Sequence, residues 1–344
     1  MKILIRLFIV FTVVSATMRL SAQDIHFSMF YASPLNLNPA LTGVTDCSYR
    51  AAGIYRNQWR SISTPYNTYS ASFDMKLLQN KLPNDIFGVG AMFVGDKSGD
   101  SKLTMSSAML SAAFHKGLGK SHRHFLGLGI QLGYTVKSLQ WQQLAFPAQF
   151  DASSQDFNLS QNNGENFVKP KGYFDMQAGL LHQSAFNDVI GMMTGFTVYH
   201  LVQPKETFLG DKSVKLPMRF TVHEGLRIRP VKNFYITPNF IFQYQNKAME
   251  ANVGTGFEYH IQTAKTLVVP SIGGWYRITG TDAAVINAGV QVFNTKFLFA
   301  YDINTSSLKG ATGSRGGFEL AIIYQGCFKR SNLSTPILVP CPMM

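Results

Sequence analysis

Long segments in which apolar and polar residues alternate with a two-residue period constrain this chain most strongly. From Leu126 to Val136, apolar residues alternate with Gly, Gln and Thr, and the same pattern recurs at 234–245 and 248–261. A two-residue period places every second side chain on one face of a β-strand, whereas a helix has a period near 3.6. The pattern therefore predicts an all-β protein.

The alternating segments number fourteen and are longer than the strands of most globular proteins. They span 49–59, 66–76, 86–95, 103–115, 123–138, 171–183, 188–200, 217–229, 234–245, 248–261, 266–278, 283–293, 296–303 and 315–325. A tilted strand that crosses a bilayer needs about 9–11 residues, whereas globular strands usually have about 5–6. Since an open sheet edge cannot face hydrocarbon, we expect a closed transmembrane antiparallel β-barrel of about 14 strands at 49–325.

The composition agrees with a membrane barrel. Charged residues make up 15% of the chain, against about 25% in soluble domains, and the sequence has 29 Gly, 27 Phe and 14 Tyr. The strands of a soluble β-sandwich would also show alternating apolar and polar residues, but strands this long and this rich in glycine favour the barrel. Beyond residue 20 no run of 18 apolar residues lacks a charge, which excludes a helical membrane protein.

The two ends of the chain and its connections predict an orientation. Residues 1–22 have the pattern of a secretory signal peptide, with Lys2 and Arg6 before an apolar core. If the following residues start in the periplasm, the long connections 140–170, 202–216 and 304–314 face outward, while most inward turns are short. This asymmetry is usual in outer-membrane barrels. Residues 326–344 then form a periplasmic C-terminal tail.

The sequence offers no motif for catalysis, a cofactor or a metal. It contains no His-Glu-x-x-His, no nucleophile elbow and no cysteine spacing typical of zinc sites, so we expect neither an enzyme nor a bound cofactor. The formal net charge is +12, but an exported chain does not meet chromosomal DNA. We therefore expect no nucleic-acid partner.

Charged residues on the face opposite the apolar one are predicted to line the lumen. They include Arg219, Arg227, Glu250, Glu258 and Glu319, together with Asp74 and Asp302. Two neighbouring carboxylates could in principle work as acid and base, but we interpret the set as an ion-pair network that fills the barrel. Glu224 does not fit, since it shares the apolar face; a bulge or a position near the membrane interface would each explain it.

Residues 23–48 form an irregular segment before the first strand. Proline has no N–H to donate to a strand ladder, and the segment carries two, while its aromatic side chains need burial. Two interpretations stay open: a plug that closes the periplasmic mouth and narrows the lumen, or a docking peptide for a partner. The candidate residues are Phe27, Phe30, Tyr31, Pro34, Asn38 and Pro39.

Several stretches resemble one bacterial family. They are QDIHFSMFYASPLNLNPALTG at 23–43, YRAAGIYRNQW at 49–59, TYSASFD at 68–74, AYDINTSSL at 300–308, GSRGGFELAIIY at 313–324 and the Pro-Cys-Pro at 340–342. Together they resemble the PorP/SprF family of type IX secretion system membrane proteins of Bacteroidetes-type bacteria. The sequence departs from the family at 313–316, where Gly-Ser-Arg-Gly replaces Gly-Ser-His-Glu.

The resemblance implies a non-enzymatic protein of the cell outer membrane that supports export or surface anchoring of cargo proteins with C-terminal sorting domains. Its implied partners are outer-membrane lipid and either periplasmic ring and lipoprotein components of the machine or a large secreted surface protein. Gliding motility is implied only if the source organism glides. The alternative is a FadL-like barrel that transports hydrophobic solutes, because Asn38-Pro39-Ala40 and fourteen strands also fit that class.

The three cysteines that follow the signal sequence are Cys47, Cys327 and Cys341. Cys47 precedes the first predicted strand and Cys327 follows the last, so barrel closure should bring them to the same seam. A bond from Cys341 to either of the other two is equally compatible with the sequence.

Overall fold

Fourteen long antiparallel strands form the body of the protein in the computed structural model. The structure describes residues 24–60, 64–79, 81–82, 84–99, 102–119, 123–164, 172–206, 213–263, 266–278, 283–305 and 309–328. The strands are β1 (Tyr49–Gln58), β2 (Tyr66–Leu77), β3 (Ile86–Ser98), β4 (Leu103–Leu118), β5 (His124–Ser138), β6 (Tyr173–Ala185), β7 (Ile190–Tyr199), β8 (Arg219–Val231), β9 (Phe234–Gln245), β10 (Ala248–Tyr259), β11 (Leu267–Arg277), β12 (Ala283–Val292), β13 (Thr295–Asn304) and β14 (Arg315–Gly326).

The sheet closes on itself. Each strand pairs with its neighbour in sequence, and β14 pairs with β1 along its length, from Tyr49 opposite Gly326 to Gln58 opposite Gly317. Closure supplies every strand with two hydrogen-bonded neighbours, which a sheet surrounded by hydrocarbon requires. The predicted closed antiparallel barrel of fourteen strands is confirmed.

The alternation of side chains places apolar groups outside and polar groups inside. Leu110 and Ile272 are 70% and 58% exposed on the outer face, whereas Asp74, Gln131 and Thr197 are completely buried inside. The outer apolar surface would be unusually large for a soluble protein, but it matches a lipid-facing barrel wall.

Some details differ from the predicted strands. The strand β4 continues to Leu118, and the connection predicted at 140–170 contains a short hairpin that pairs Phe150–Asp151 with Asp156–Phe157. A register shift in β8 lies between Ile228 and Val231, so the bulge does not coincide with Glu224. Within the described residues the helices are single turns, and none has the length and apolar character needed to cross a membrane.

The two ends of the barrel differ. We call the end where β1 begins and β14 ends the disulfide end, because Cys47 bonds to Cys327 there. The opposite end, which carries the connections after β5, β7 and β13, is the loop end. The predicted signal peptide at 1–22, Cys341 and most of the predicted C-terminal tail lie outside the described residues.

The Cys47–Cys327 bond joins positions 280 residues apart beside the seam between β1 and β14. Such a link restricts the unfolded chain, so replacing both cysteines by serine should destabilise the barrel by about 2–5 kcal/mol. Urea unfolding of the protein in lipid vesicles measures the change. Cys341→Ser, which leaves this bond in place, is the control, and equal stability of the double variant and this control would contradict the prediction.

Candidate functional site in the barrel lumen

The lumen is filled by the chain's own first described residues, 24–48, which we call the lumen segment. Its core is three short helical turns, Phe30–Ala32, Pro34–Leu37 and Pro39–Leu41. Proline at the first position of a turn is favourable because its φ angle is already near the helical value. The six candidate residues Phe27, Phe30, Tyr31, Pro34, Asn38 and Pro39 are all buried within the barrel.

The lumen segment runs through the whole barrel. At the loop end, Asp24 bonds to Gln245, the last residue of β9. At the disulfide end, the Thr45 hydroxyl donates to Gln325 of β14 at 2.7 Å. From the sequence, 23–48 was either a plug at the periplasmic mouth or a docking peptide. In the structure the described part of it lies along the lumen, where polar wall residues bind its backbone from one end to the other.

A chain of charged groups holds the segment at the loop end. The Asp24 carboxylate lies 2.6 Å from Nε2 of His200, whose Nδ1 lies 2.7 Å from Asp175. Burial alone would lower the pKa of His200, but the hydrogen bonds to Asp175 and Asp24 outweigh it and raise this pKa to about 9. Burial would raise the pKa of Asp24, yet the bond to His200 and the Arg219 guanidinium keep it well below its usual value. The imidazolium is therefore held between two carboxylates at neutral pH.

Two carboxylates of the last two strands bind the segment's backbone deeper in the lumen. Glu319 of β14 accepts the N–H groups of Ser28 and Met29 at 2.6 and 2.8 Å, and Asp302 of β13 accepts the Ser28 hydroxyl at 2.8 Å. The Arg56 guanidinium lies 3.0 Å from Asp302 and 3.2 Å from Glu319 and also donates to the carbonyl of His26. Arg56 thus contacts both wall carboxylates while it holds the segment, and Arg277 lies 3.7 Å from Asp302.

His26 faces Glu250, with Nε2 at 3.3 Å from the carboxylate. The other ring nitrogen of His26, Nδ1, lies 3.4 Å from the carbonyl oxygen of Asp24. Arg277 lies 3.5 Å from the same Glu250 carboxylate and supplies a guanidinium charge beside it.

The aromatic side chains of the segment occupy a pocket in the wall. Tyr31 packs against Trp275 with ring centroids 5.5 Å apart, and its hydroxyl accepts a 2.7 Å hydrogen bond from Asn287. This contact combines apolar burial with a satisfied hydroxyl, the usual condition for a buried tyrosine.

Asn38 is the residue that the wall encloses most tightly. Its Nδ2 donates to the carbonyl of Leu180 at 3.0 Å and lies 3.1 Å from Nε2 of His223, while its Oδ1 accepts from the N–H of Ala40. A Cβ built on Gly179 would lie 1.9 Å from Asn38 Oδ1, and one on Gly129 would lie 2.3 Å from the Ala40 nitrogen. Glycine on this part of the wall therefore makes room for the Asn-Pro-Ala turn.

Arg50 and Asp74 anchor the segment towards the disulfide end. They form a two-point ion pair with both N···O distances at 3.0 Å. Arg50 also donates to the carbonyl of Leu41, and Asp74 accepts the N–H of Gly43 at 2.8 Å. The pair thus binds one backbone carbonyl of the last helical turn and one backbone N–H just after it.

The predicted network is divided into two parts. Arg219, Glu250 and Glu319 contact the lumen segment, whereas Glu258 pairs with Lys296 at 3.0 Å and with His260 at 3.4 Å. Arg227 reaches the same His260 at 3.4 Å. The second group lies where β8 and β10 end and β13 begins, at the disulfide end.

Sequence reasoning missed several members of the site. They are Arg50, Arg56, Asp175, His200, Arg277 and Lys296. The two-residue period could have identified two of them. Arg50 and Arg56 lie on the same face of β1 as Ala52 and Ile54, which is the buried face. His200 follows the last residue of its strand, so alternation could not have assigned it to the lumen.

Most acidic and basic groups of the described lumen residues are paired with each other or with backbone. Within the described ranges no group of three or more His, Cys, Asp or Glu side chains could hold a metal ion. The arrangement can hold a peptide segment in place.

Removing Arg56 tests the buried network. Arg56→Met leaves Asp302 and Glu319 buried without their main cation, which should cost about 3–5 kcal/mol of unfolding free energy. Lys116→Met is the matched control, because its ion pair with Asp85 is mostly exposed and should contribute at most about 1 kcal/mol. Urea titration in lipid vesicles compares the two variants, and equal losses would refute the assigned role of Arg56.

The charged groups Asp24, His200 and Asp175 at the loop end predict that binding of the lumen segment there depends on pH. The pKa of His200 is raised to about 9. The stabilisation that charged His200 gives to the bound lumen segment is therefore complete below the unfolded-state pKa of about 6.5, and it is lost as the pH rises through about 9. The NMR order parameter of the Ile25 methyl group in micelles should therefore fall between about pH 7 and about pH 10. His200→Gln should abolish this transition; a transition that persists in the variant would contradict the assignment.

Comparison with known proteins gives a family and a fold. A family model described as type IX secretion system membrane protein PorP/SprF matches residues 20–324. No curated protein matches the chain. Among solved structures, the toluene transporter TbuX of Ralstonia pickettii is 11% identical with a TM-score of 0.53, over 86% of this chain and 94% of that chain. The toluene transporter TodX of P. putida is 10% identical with a TM-score of 0.50, over 86% and 93%.

At identities this low the similarity to the transporters shows the shared barrel fold alone. The family match covers nearly all of the strands described above and confirms the resemblance seen in the sequence motifs. A membrane barrel of this family lies in the outer membrane. The chain belongs to the PorP/SprF family of type IX secretion system membrane proteins.

Proposed function

We propose that this protein is a non-enzymatic outer-membrane component that supports the export or surface anchoring of type IX cargo proteins with C-terminal sorting domains. Family membership supports the secretion role. The observation that carries the proposal further is the lumen segment, which is bound to the wall from Asp24 to Thr45. A barrel filled in this way provides an anchored platform in the membrane, and its two ends remain available for partners.

The disulfide end is the proposed periplasmic face, where ring or lipoprotein components of the machine would bind. A cavity of about 200 Å³ lies beside the Cys47–Cys327 bond. Its lining combines apolar Leu77, Leu82 and Phe328 with the charged Lys76 and Asp85. Apolar side chains rimmed by charged ones are typical of a protein contact.

The loop end is the proposed surface for cargo. In the connection after β5, the rings of Phe150 and Phe157 meet edge to face with centroids 5.2 Å apart and are 48% and 43% exposed. The loop beneath them is held by the buried Gln149, whose Nε2 donates to the carbonyls of Leu159 and Gln161. Exposed aromatic residues on a preformed loop lose little conformational entropy on binding, which favours a protein partner.

A second candidate is transport of a hydrophobic solute, which the shared fold with toluene transporters favours. That role requires an apolar route through the barrel. A cavity of about 340 Å³ at the loop end is lined by Arg60 and Arg315 together with Tyr301, Phe318 and Asn57. Two guanidinium groups make this cavity a poor hydrocarbon site, so the secretion role is preferred.

Deletion of the gene, followed by complementation, separates the two candidates. Cells lacking the protein should fail to secrete or anchor a reporter that carries a type IX sorting domain, while toluene uptake stays normal. The wild-type chain should restore secretion, and the Phe150→Ser/Phe157→Ser variant should not, because the proposed cargo contact is lost. Normal secretion in the deletion strain, together with reduced toluene uptake, would overturn the proposal in favour of transport.

Phe186→Ser is the matched control for the loop variant. Phe186 is 54% exposed, but it lies in the turn between β6 and β7 at the opposite end of the barrel. The control should restore secretion as well as the wild-type chain does. If both variants restored secretion equally well, Phe150 and Phe157 would not be part of the cargo surface, but the proposed role in secretion would still stand.

A further inference from the structure

Three polar side chains form a row across the outer face of β6, β7 and β8. The strand register places Glu224 opposite Thr194, and Thr194 opposite His182. We call these three residues the polar row. Because paired residues on neighbouring strands share a face, all three project from the barrel wall on the lipid side.

The surroundings of Glu224 are apolar. Val222 precedes it and Leu226 follows it on the same face of β8, and Phe240 lies opposite on β9. Beside Thr194, Phe196 is 40% exposed on the same outer face. Glu224 also lies near the middle of its strand, so it is placed within the lipid-facing belt and not at its border.

Apart from His182 of the polar row, the other acidic and basic side chains on the outer faces of the described strands lie near strand ends. Lys97 lies next to the end of β3, and Lys116 lies close to the end of β4, where it pairs with Asp85 at 2.9 Å. Glu224 makes no hydrogen bond or ion pair with any residue that the structure describes. A carboxylate in this position is unfavourable in hydrocarbon, and intramembrane ionisable residues usually mark a contact or functional site.

The polar row also contains a potential partner for a carboxylate. His182 uses Nε2 towards the Ser184 hydroxyl at 3.0 Å, and its Nδ1 has no partner within the described ranges. Neighbouring strands lie about 4.8 Å apart, so the backbones that carry His182 and Glu224 are about 10 Å apart across Thr194. The structure has no hydrogen bond between these two side chains.

We propose that the polar row is the contact surface between two copies of this chain in the outer membrane. A two-fold axis along the membrane normal brings the same patch of both copies together, so a donor on one copy meets the acceptor on the other, twice. The patch is self-complementary in this sense, since it carries the acceptor Glu224 and the donor His182 around Thr194. The same pairing covers exposed apolar side chains such as Leu180 and Phe196. This inference does not depend on the proposed role in secretion.

Cysteine cross-linking in native outer membranes tests the contact directly. In a full-length chain with Cys341→Ser, Thr194→Cys should give several times more covalent dimer with a short bis-maleimide than Thr255→Cys gives. Thr255 is a matched control, because it is a half-buried threonine on the outer face of β10, three strands from Thr194. Equal dimer yields at both positions, or a cross-link from Thr194→Cys to a different protein, would overturn the proposal.

Charge exchange tests the chemistry of the contact. Glu224→Leu should weaken dimerisation in lipid nanodiscs by about tenfold to a hundredfold, because each copy loses a hydrogen bond to a charged group. His182→Glu alone should also weaken it, and the Glu224→His/His182→Glu double variant should restore it. A purely structural role predicts a less stable barrel for Glu224→Leu, whereas removal of a charge from the lipid face should leave the barrel at least as stable. Lower stability with unchanged dimerisation would refute the inference.

Discussion

The whole structure depends on one constraint: backbone N–H and C=O groups that face hydrocarbon must find partners within the protein. Closure of β14 onto β1 meets this requirement for the wall. Closure also creates an interior that the same chain has to fill. The polar inner face could be occupied by water or by protein, and here it is occupied by the lumen segment, whose exposed backbone groups need the donors and acceptors that the wall supplies.

This complementarity explains why the interior is rich in charges although ion pairs are expensive to bury. Arg50, Arg56 and the carboxylates around them bind backbone groups of short helical turns as well as one another. A purely apolar interior could not satisfy the orphan carbonyls and amides of turns that are too short to satisfy themselves. The interior network therefore determines which conformation the segment takes, and the ends and the outer face remain for contacts with other molecules.

The two-residue period was sufficient to predict the closed barrel and the approximate bounds of all fourteen strands, because alternation directly reflects which side chains face lipid. The lumen segment was recognised as irregular and apolar, yet its path along the entire barrel was not predicted. Its position depends on contacts such as Ser28 with Glu319, which are 291 residues apart and leave no periodic signal. His200 and Asp175 were missed for the same reason, since their roles depend on where a loop residue and a strand residue meet in space.

The enclosed segment has a consequence for the order of assembly in the membrane. The lumen segment is made before every strand, and it is bound by β13 and β14, which are the last strands to be made. Contacts of such large sequence separation are slow to form, because most of the chain must be ordered before they contribute. The contacts of the lumen segment with β13 and β14, and the Cys47–Cys327 bond, therefore become possible only after the last strand of the barrel has been made.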